Sequence, residues 1–210
     1  MEKFNPSALK HSPLLGSNDY NFEKIDLTIH SPIAKHPNWK KLLEDYSAHQ
    51  TIYYGGYLEE RFFYTNKTLY GEGANARCVH LGTDVWVRPG TSIYAPLDGK
   101  VHSMAYNNKM LDYGFTIILE HQLGLNTLYS LYGHLNQWHV SRLAPSKFVA
   151  AGEKLCEVGD YPDNGGWPPH LHFQLIHNLE NNVGDYVGVC SKEKLSFYSA
   201  NCPDGTVFLL

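Results

Sequence analysis

The chain of 210 residues has no run of eighteen apolar residues, so no stretch of it reads as a membrane-spanning helix. It has no excess of positive charge either, and a formal net charge of -4 offers no basic field to a phosphate backbone. Neither a membrane nor a nucleic acid is therefore expected as a partner. The four cysteines, Cys78, Cys156, Cys190 and Cys202, form no CxxC pair, which argues against a zinc knuckle or a thioredoxin-type motif and leaves buried reduced thiols. Cys78 shares strand parity with His80, but nothing else in the sequence supports a thiolate ligand. The first residues, Met1 to Pro6, lack the apolar core of a secretory signal, so a cytoplasmic location is expected, or a periplasmic or secreted one if a signal has been removed. No linker composition divides the chain and no internal repeat is visible. What is present, 43% hydrophobic residues of ordinary globular kind, is enough for one sizeable core.

Residues 1–37 are rich in turn signals around one short alternation, Ile25, Leu27 and Ile29, and read as an irregular extension wrapped over something else. Trp39, Leu42, Leu43 and Tyr46 then follow helical spacing, with Lys40, Lys41, Glu44 and Asp45 opposite, predicting one amphipathic helix after Pro37. After it the period is two. Strands are predicted over 51–57, 60–65, 78–87, 91–96, 100–105, 115–121, 127–132, 154–158 and 170–177, with Asp98-Gly99 read as a hairpin turn between the fourth and fifth. Many short strands with Gly and Pro turns make a mainly β fold, an antiparallel sandwich or open barrel.

Three segments carry chemistry. In Pro169-His170-Leu171-His172-Phe173, alternation aims both imidazoles at one face about 6.6 Å apart while Leu171, Phe173 and Leu175 face a core. A half-buried strand with two solvated histidines would show the same alternation. His80-Leu81-Gly82-Thr83-Asp84 places imidazole and carboxylate four residues apart, about 13 Å in a regular strand and too far to share one ion. Gly82 between them is the residue that would allow a bend. Two polar residues on an exposed face would explain this segment as well. Tyr132-Gly133-His134-Leu135 sets a fourth histidine at a strand end. The other eight histidines (His11, His30, His36, His49, His102, His121, His139 and His177) are read as surface or core.

Taken together, the HxxxD of His80 to Asp84, the Tyr-Gly-His-Leu around His134 and the Pro-His-Leu-His-Phe around His172 resemble, in order and context, the zinc endopeptidases of the lysostaphin and LytM type. The likeness runs through Pro89-Gly90-Thr91, Tyr94-Ala95-Pro96, Gly99-Lys100-Val101, Ala151-Gly152-Glu153 and Val158-Gly159. It covers residues 77–177, read as the peptidase core, with 1–76 as an N-terminal extension packing on it and 178–210 as a C-terminal extension of the same globular unit. The tracts Gly165-Gly166-Trp167-Pro168-Pro169, Leu111-Asp112-Tyr113-Gly114 and Cys202-Pro203-Asp204-Gly205 look more like peptidase-like domains fused to kinase-like and aminotransferase domains in large intracellular proteins.

The resemblance implies a duplicated hybrid motif of antiparallel strands and one zinc ion held by His80, Asp84 and His172, with His134 and His170 unliganded beside it. Three protein ligands and a water make the open form that a catalytic zinc requires. His170 is assigned as general base and His134 as its partner, orienting the water or stabilising the oxyanion, and these two roles can be exchanged. No HExxH helix is present, so a glutamate base is not expected. The implied activity is hydrolysis of peptide bonds, cell-wall-type glycyl peptides among them. A small cytosolic amide or peptide is the alternative substrate, and a non-catalytic binding or regulatory module is the reading from another class. For residues 1–76 two readings stand: a plug lending Asn18, Asp19, Asn21 or His30 to the metal, or a cover for the sheet, the helix on its outer face.

Overall fold

The structure, a computed structural model, describes residues 9–64, 70–140 and 142–210. The strands in chain order are β1 (Phe22–Lys24), β2 (Ile52–Gly55), β3 (Glu59–Glu60), β4 (Arg77–His80), β5 (Thr83–Trp86), β6 (Ser92–Tyr94), β7 (Gly99–Asn107), β8 (Gly114–Leu123), β9 (Asn126–Leu135), β10 (Phe148–Val149), β11 (Lys154–Glu157), β12 (Leu171–Ile176) and β13 (Val189–Ser191). Eight of them form one sheet in the order β1-β2-β5-β12-β9-β8-β7-β10, and the others form a pair, β11-β6, and a trio, β13-β4-β3. Every pairing is antiparallel except β1 with β2. The mainly β, open antiparallel architecture expected from the strand pattern is the one observed.

Alternation explains how the central strands divide their residues. On β12, Leu171, Phe173 and Leu175 enter the largest core, together with Ile117, Leu119 and Tyr132, while Ile118, Leu131 and Ile176 enter a second core on the opposite side. Burying one such side chain is worth about 1.5–3 kcal/mol, so a one-residue slip that exchanged the faces would be costly. The helix Trp39–Ser47 turns Trp39, Leu42, Leu43 and Tyr46 toward a third cluster containing Ile25, Leu27, Phe63 and Trp86. Two further short helices, Gln137–Val140 and Leu195–Asn201, accompany the one substantial helix that the spacing predicts.

Three expectations about strands and turns are corrected. The segment 60–65 forms only the short β3 before turning at Phe62 and Phe63, because Arg61 is drawn inward to a buried ion pair; residues 65–69 lie outside the described residues. Asp98-Gly99 is not a hairpin turn. β6 pairs with β11, and β7 pairs with β8 and β10, so the chain passes from one sheet to another at this point. Asp98 is used as a tie instead: its Oδ1 accepts from the N–H of Ala151 at 2.7 Å and its carbonyl accepts from His121 Nδ1 at 2.9 Å.

The predicted strand 78–87 breaks at Leu81-Gly82 into β4 and β5, which belong to different sheets. Gly82 is required by close approach. A Cβ there would lie 2.6 Å from the His172 ring and 2.9 Å from the Phe173 carbonyl.

Candidate metal centre

Strand register brings the first two groups together. On the antiparallel pair β12 and β5, His172 stands directly opposite Asp84, and Nδ1 of the histidine lies 3.1 Å from Oδ1 of the carboxylate. The break at Gly82 then swings His80 back over the pair, with Nε2 2.9 Å from His172 Nδ1 and 3.4 Å from Asp84 Oδ1. All three residues are buried, and they are the group of potential ligand atoms that converges among the described residues.

The remaining ring nitrogens decide what these atoms present. His80 Nδ1 donates to the carbonyl of Gly56 at 3.0 Å, leaving a lone pair on Nε2. His172 Nε2 lies 3.0 Å from Gln174 Oε1, whose amide is oriented by donation from Nε2 to the carbonyl of Val187, so His172 Nε2 is the donor and Nδ1 carries the lone pair. Two lone pairs and a carboxylate oxygen thus face one another with no hydrogen between them. Such atoms repel unless a cation sits among them, and two imidazoles with a carboxylate are a donor set suited to zinc. The residues fit the metal that the resemblance implies.

His134 and His170 stand beside this trio. Their ring centroids are 4.3 Å apart, and His170 Nε2 is 3.8 Å from Asp84 Oδ1. Each is tied through Nδ1, His134 to the carbonyl of Asn164 at 2.9 Å and His170 to that of Pro168 at 2.7 Å, so each keeps Nε2 as an acceptor. His170 also stacks on Trp86 at 4.5 Å. His134 lies inside β9 rather than just beyond it, with φ +62°, where the register against β8 shifts between Phe115 and Ile117. A bulge of this kind re-aims a side chain, and a left-handed conformation at a non-glycine residue is costly. The neighbouring Gly133, opposite His172, is bare because Tyr113 fills the space; a Cβ would lie 2.7 Å from its ring.

Burial fixes the charge states. It drives His80 down to about 3, with the nearby Arg61 cation adding to the effect, and holds His134 well below the usual imidazole range with help from His170. His170 is lowered mainly by burial. Burial alone would raise Asp84, but His80 and Arg61 outweigh it and keep the carboxyl well below its usual value. His80, His134 and His170 are therefore neutral imidazoles beside an ionised Asp84 at neutral pH.

Several groups at the site were not assigned to it from the sequence. Arg61 pairs with Asp84 Oδ2 from the N-terminal region, and Tyr113 Oη lies 3.4 Å from His172 Nε2. Gln174 was within reach of sequence reasoning, since it shares strand parity with His172. A cavity of about 270 Å³ opens over the site, walled by Phe63, Tyr64, Tyr113, Trp167 and Tyr186. The plug candidates Asn18, Asp19, Asn21 and His30 are all exposed, and none lines this cavity. The placement of the His139 side chain lies outside the described residues, and Cys78 is not among the converging ligand atoms.

The chain is similar to a zinc-containing peptidase from Vibrio cholerae, at 26% identity over 50% of this chain and 29% of that one, with a TM-score of 0.40. It is similar to the catalytic domain of the antimicrobial peptidase lysostaphin from Staphylococcus simulans, at 22% identity over 76% of this chain and 97% of that one (TM-score 0.43). It is also similar to the catalytic domain of the prophage-encoded M23 protein EnpA from Enterococcus faecalis, at 23% identity over 55% of this chain and 83% of that one (TM-score 0.38). The alignment spans less than half the length of the Vibrio peptidase. Comparison with curated proteins returns no match. The family described as Peptidase family M23 matches residues 78–184, which contain all five of the site's histidines and aspartate. That match covers just over half of the chain, and the chain belongs to peptidase family M23, a family of metallopeptidases.

Proposed function

We propose that this chain is a zinc-dependent peptidase in which His80 Nε2, Asp84 Oδ1 and His172 Nδ1 hold one metal ion and His134 and His170 manage protons. The observation that carries the proposal is the trio of facing acceptor atoms, each fixed in that state by what its other side bonds: Gly56 for His80, Gln174 for His172 and Arg61 for Asp84. When bound, zinc supplies a water of lowered pKa and polarises the scissile carbonyl.

The chain's own groups supply the rest. His170 Nε2, the free acceptor nearest the ligand carboxylate, takes the proton released as water attacks, and returns it to the departing amine. His134, held against His170 by its bulge, orients the attacking water through its free Nε2, and serves the tetrahedral oxyanion only once that nitrogen has been protonated. Both rings are neutral at pH 7, so each Nε2 can accept, as taking a proton and orienting a water require. The aromatic walls of Phe63, Tyr64 and Trp167 exclude water and strengthen each polar contact inside.

A cavity of about 270 Å³ is at the small end for ligand sites, which supports a short peptide or small amide as substrate beside the glycyl bonds of cell-wall peptides. A binding module without turnover has no chemical use for two free imidazole acceptors beside a ligand trio. The test is metal analysis of the purified protein joined to a panel of short glycyl peptides and small amides at neutral pH. One equivalent of zinc with cleavage that a chelator abolishes is expected; metal uptake with no cleavage of any member would favour the binding module.

A further inference from the structure

The family match starts at residue 78, yet two of the groups that hold the metal centre in shape come from earlier in the chain. Arg61 is 3% exposed, and its guanidinium donates through Nη1 to Asp84 Oδ2 and through Nε to Glu59 Oε2 at 2.9 Å. Glu59 is anchored in turn, its Oε1 accepting from the N–H of Leu27 at 3.0 Å. The guanidinium fits because residue 56 is glycine: a Cβ there would lie 1.9 Å from Arg61 Nη2. Gly56 has φ +103°, and its carbonyl is the one that accepts from His80 Nδ1. One short stretch, Gly56 to Arg61, thus braces two of the three candidate ligands.

We infer that Arg61 is a positioning residue of the metal centre, gripping Asp84 by Oδ2 so that Oδ1 alone is presented to the metal. The inference rests on the zinc reading above. A carboxylate free to turn can offer either oxygen or both, whereas one held by a charge-assisted bond from a planar guanidinium keeps a single orientation. Arg61 is also held at a cost, because its Nη2 is buried without a hydrogen-bond partner among the described residues. A side chain recruited only to close the fold would not need a charge seated against a ligand. Partners of this kind to metal ligands typically set metal affinity by about 10–100-fold.

The experiment uses the full chain, stripped of metal and then titrated with zinc against a chromophoric chelator and with cobalt(II) followed by its visible absorption. Arg61→Met, Arg61→Lys and Glu59→Gln are compared with the wild type, and circular dichroism checks folding. Arg61→Met is expected to weaken zinc about 10–100-fold and to shift the cobalt band as Asp84 turns. Arg61→Lys should recover part of the affinity without restoring the wild-type spectrum, since an ammonium lacks the planar fork. Glu59→Gln keeps the Arg61 charge and the fold while loosening its seat, and should give a smaller shift of the same sign. Wild-type affinity and spectrum in a folded Arg61 variant would overturn the role, as would tighter zinc binding in Arg61→Met. If neither Arg61 variant folds, an unchanged cobalt spectrum in Glu59→Gln overturns it. A wild type that takes up neither metal would overturn the zinc reading itself and this role with it.

Discussion

His134 and His170 face each other with ring centroids 4.3 Å apart, and each gives its Nδ1 hydrogen to a backbone carbonyl and keeps Nε2 free. Neither ring belongs to the converging trio of His80, Asp84 and His172. Replacing either with Ala is therefore expected to leave metal content near one equivalent while lowering kcat by about 10²–10⁴-fold, the usual worth of a positioned proton carrier. Ala at His80 or at Asp84 should instead empty the site. Metal content settles the division of labour: if His134→Ala lost zinc as completely as His80→Ala, the partition would be wrong.

Gly82 gives a sharper test of the local bend. An Ala side chain at this position would press within 2.6 Å of the His172 ring and 2.9 Å of the Phe173 carbonyl, and neither backbone nor ligand can move without opening the trio. Gly82→Ala should lose metal affinity by at least about tenfold and destabilise the fold by about 1–3 kcal/mol, as overpacking does. A variant that binds zinc as the wild type does would show that β4 and β5 can separate without cost to the site.

The metal-free protein should be sensitive to acid. His121, away from the site, is buried and lowered below its ordinary value, and His80 is lowered to about 3. In the unfolded chain both take up protons near about 6.5. Between that pH and the folded values the unfolded state binds more protons, so the stability these groups contribute is present above about 6.5 and is lost as pH falls toward about 3. Urea midpoints of the chelated protein should drop between pH 7.5 and pH 5. Equal midpoints would mean that these rings are not kept neutral by burial.

Deleting residues 1–50 removes Leu14 and Leu15 from the main core and Ile25, Leu27 and Leu43 from the cluster under Trp86. It also removes the Leu27 N–H that anchors Glu59. The truncated chain should lose its cooperative melting transition at moderate temperature and gain no activity. A well-folded truncation that cleaves a peptide the full chain leaves intact would instead make this segment inhibitory.

Removal of the metal should lower the melting temperature, because the three candidate ligands come from β4, β5 and β12 and a cation binding only the folded state stabilises it. The measurement is a melting curve with and without a chelator shown to strip zinc. An unchanged curve would separate the metal from the stability of the sheet.

Local pattern determined a good part of this protein. The two-residue period placed β8, β9 and β12, set His172 and Gln174 on one face and Leu171, Phe173 and Leu175 on the other, and the helical spacing of Trp39 to Tyr46 placed the helix Trp39–Ser47. The glycine between His80 and Asp84 marked the bend because only a bare residue tolerates such close approach. What the tertiary structure decided is everything that depends on pairing at a distance. Asp98-Gly99 has the composition of a hairpin turn, but a turn forms only if its flanking strands pair, and β6 found its partner in β11 sixty residues on. The facing of His172 and Asp84 depends on the register of β12 against β5, and the bulge that turns His134 inward depends on the register of β9 against β8. Arg61 had no local pattern to announce it, since its role exists only where Gly56 leaves room and Asp84 presents a buried charge.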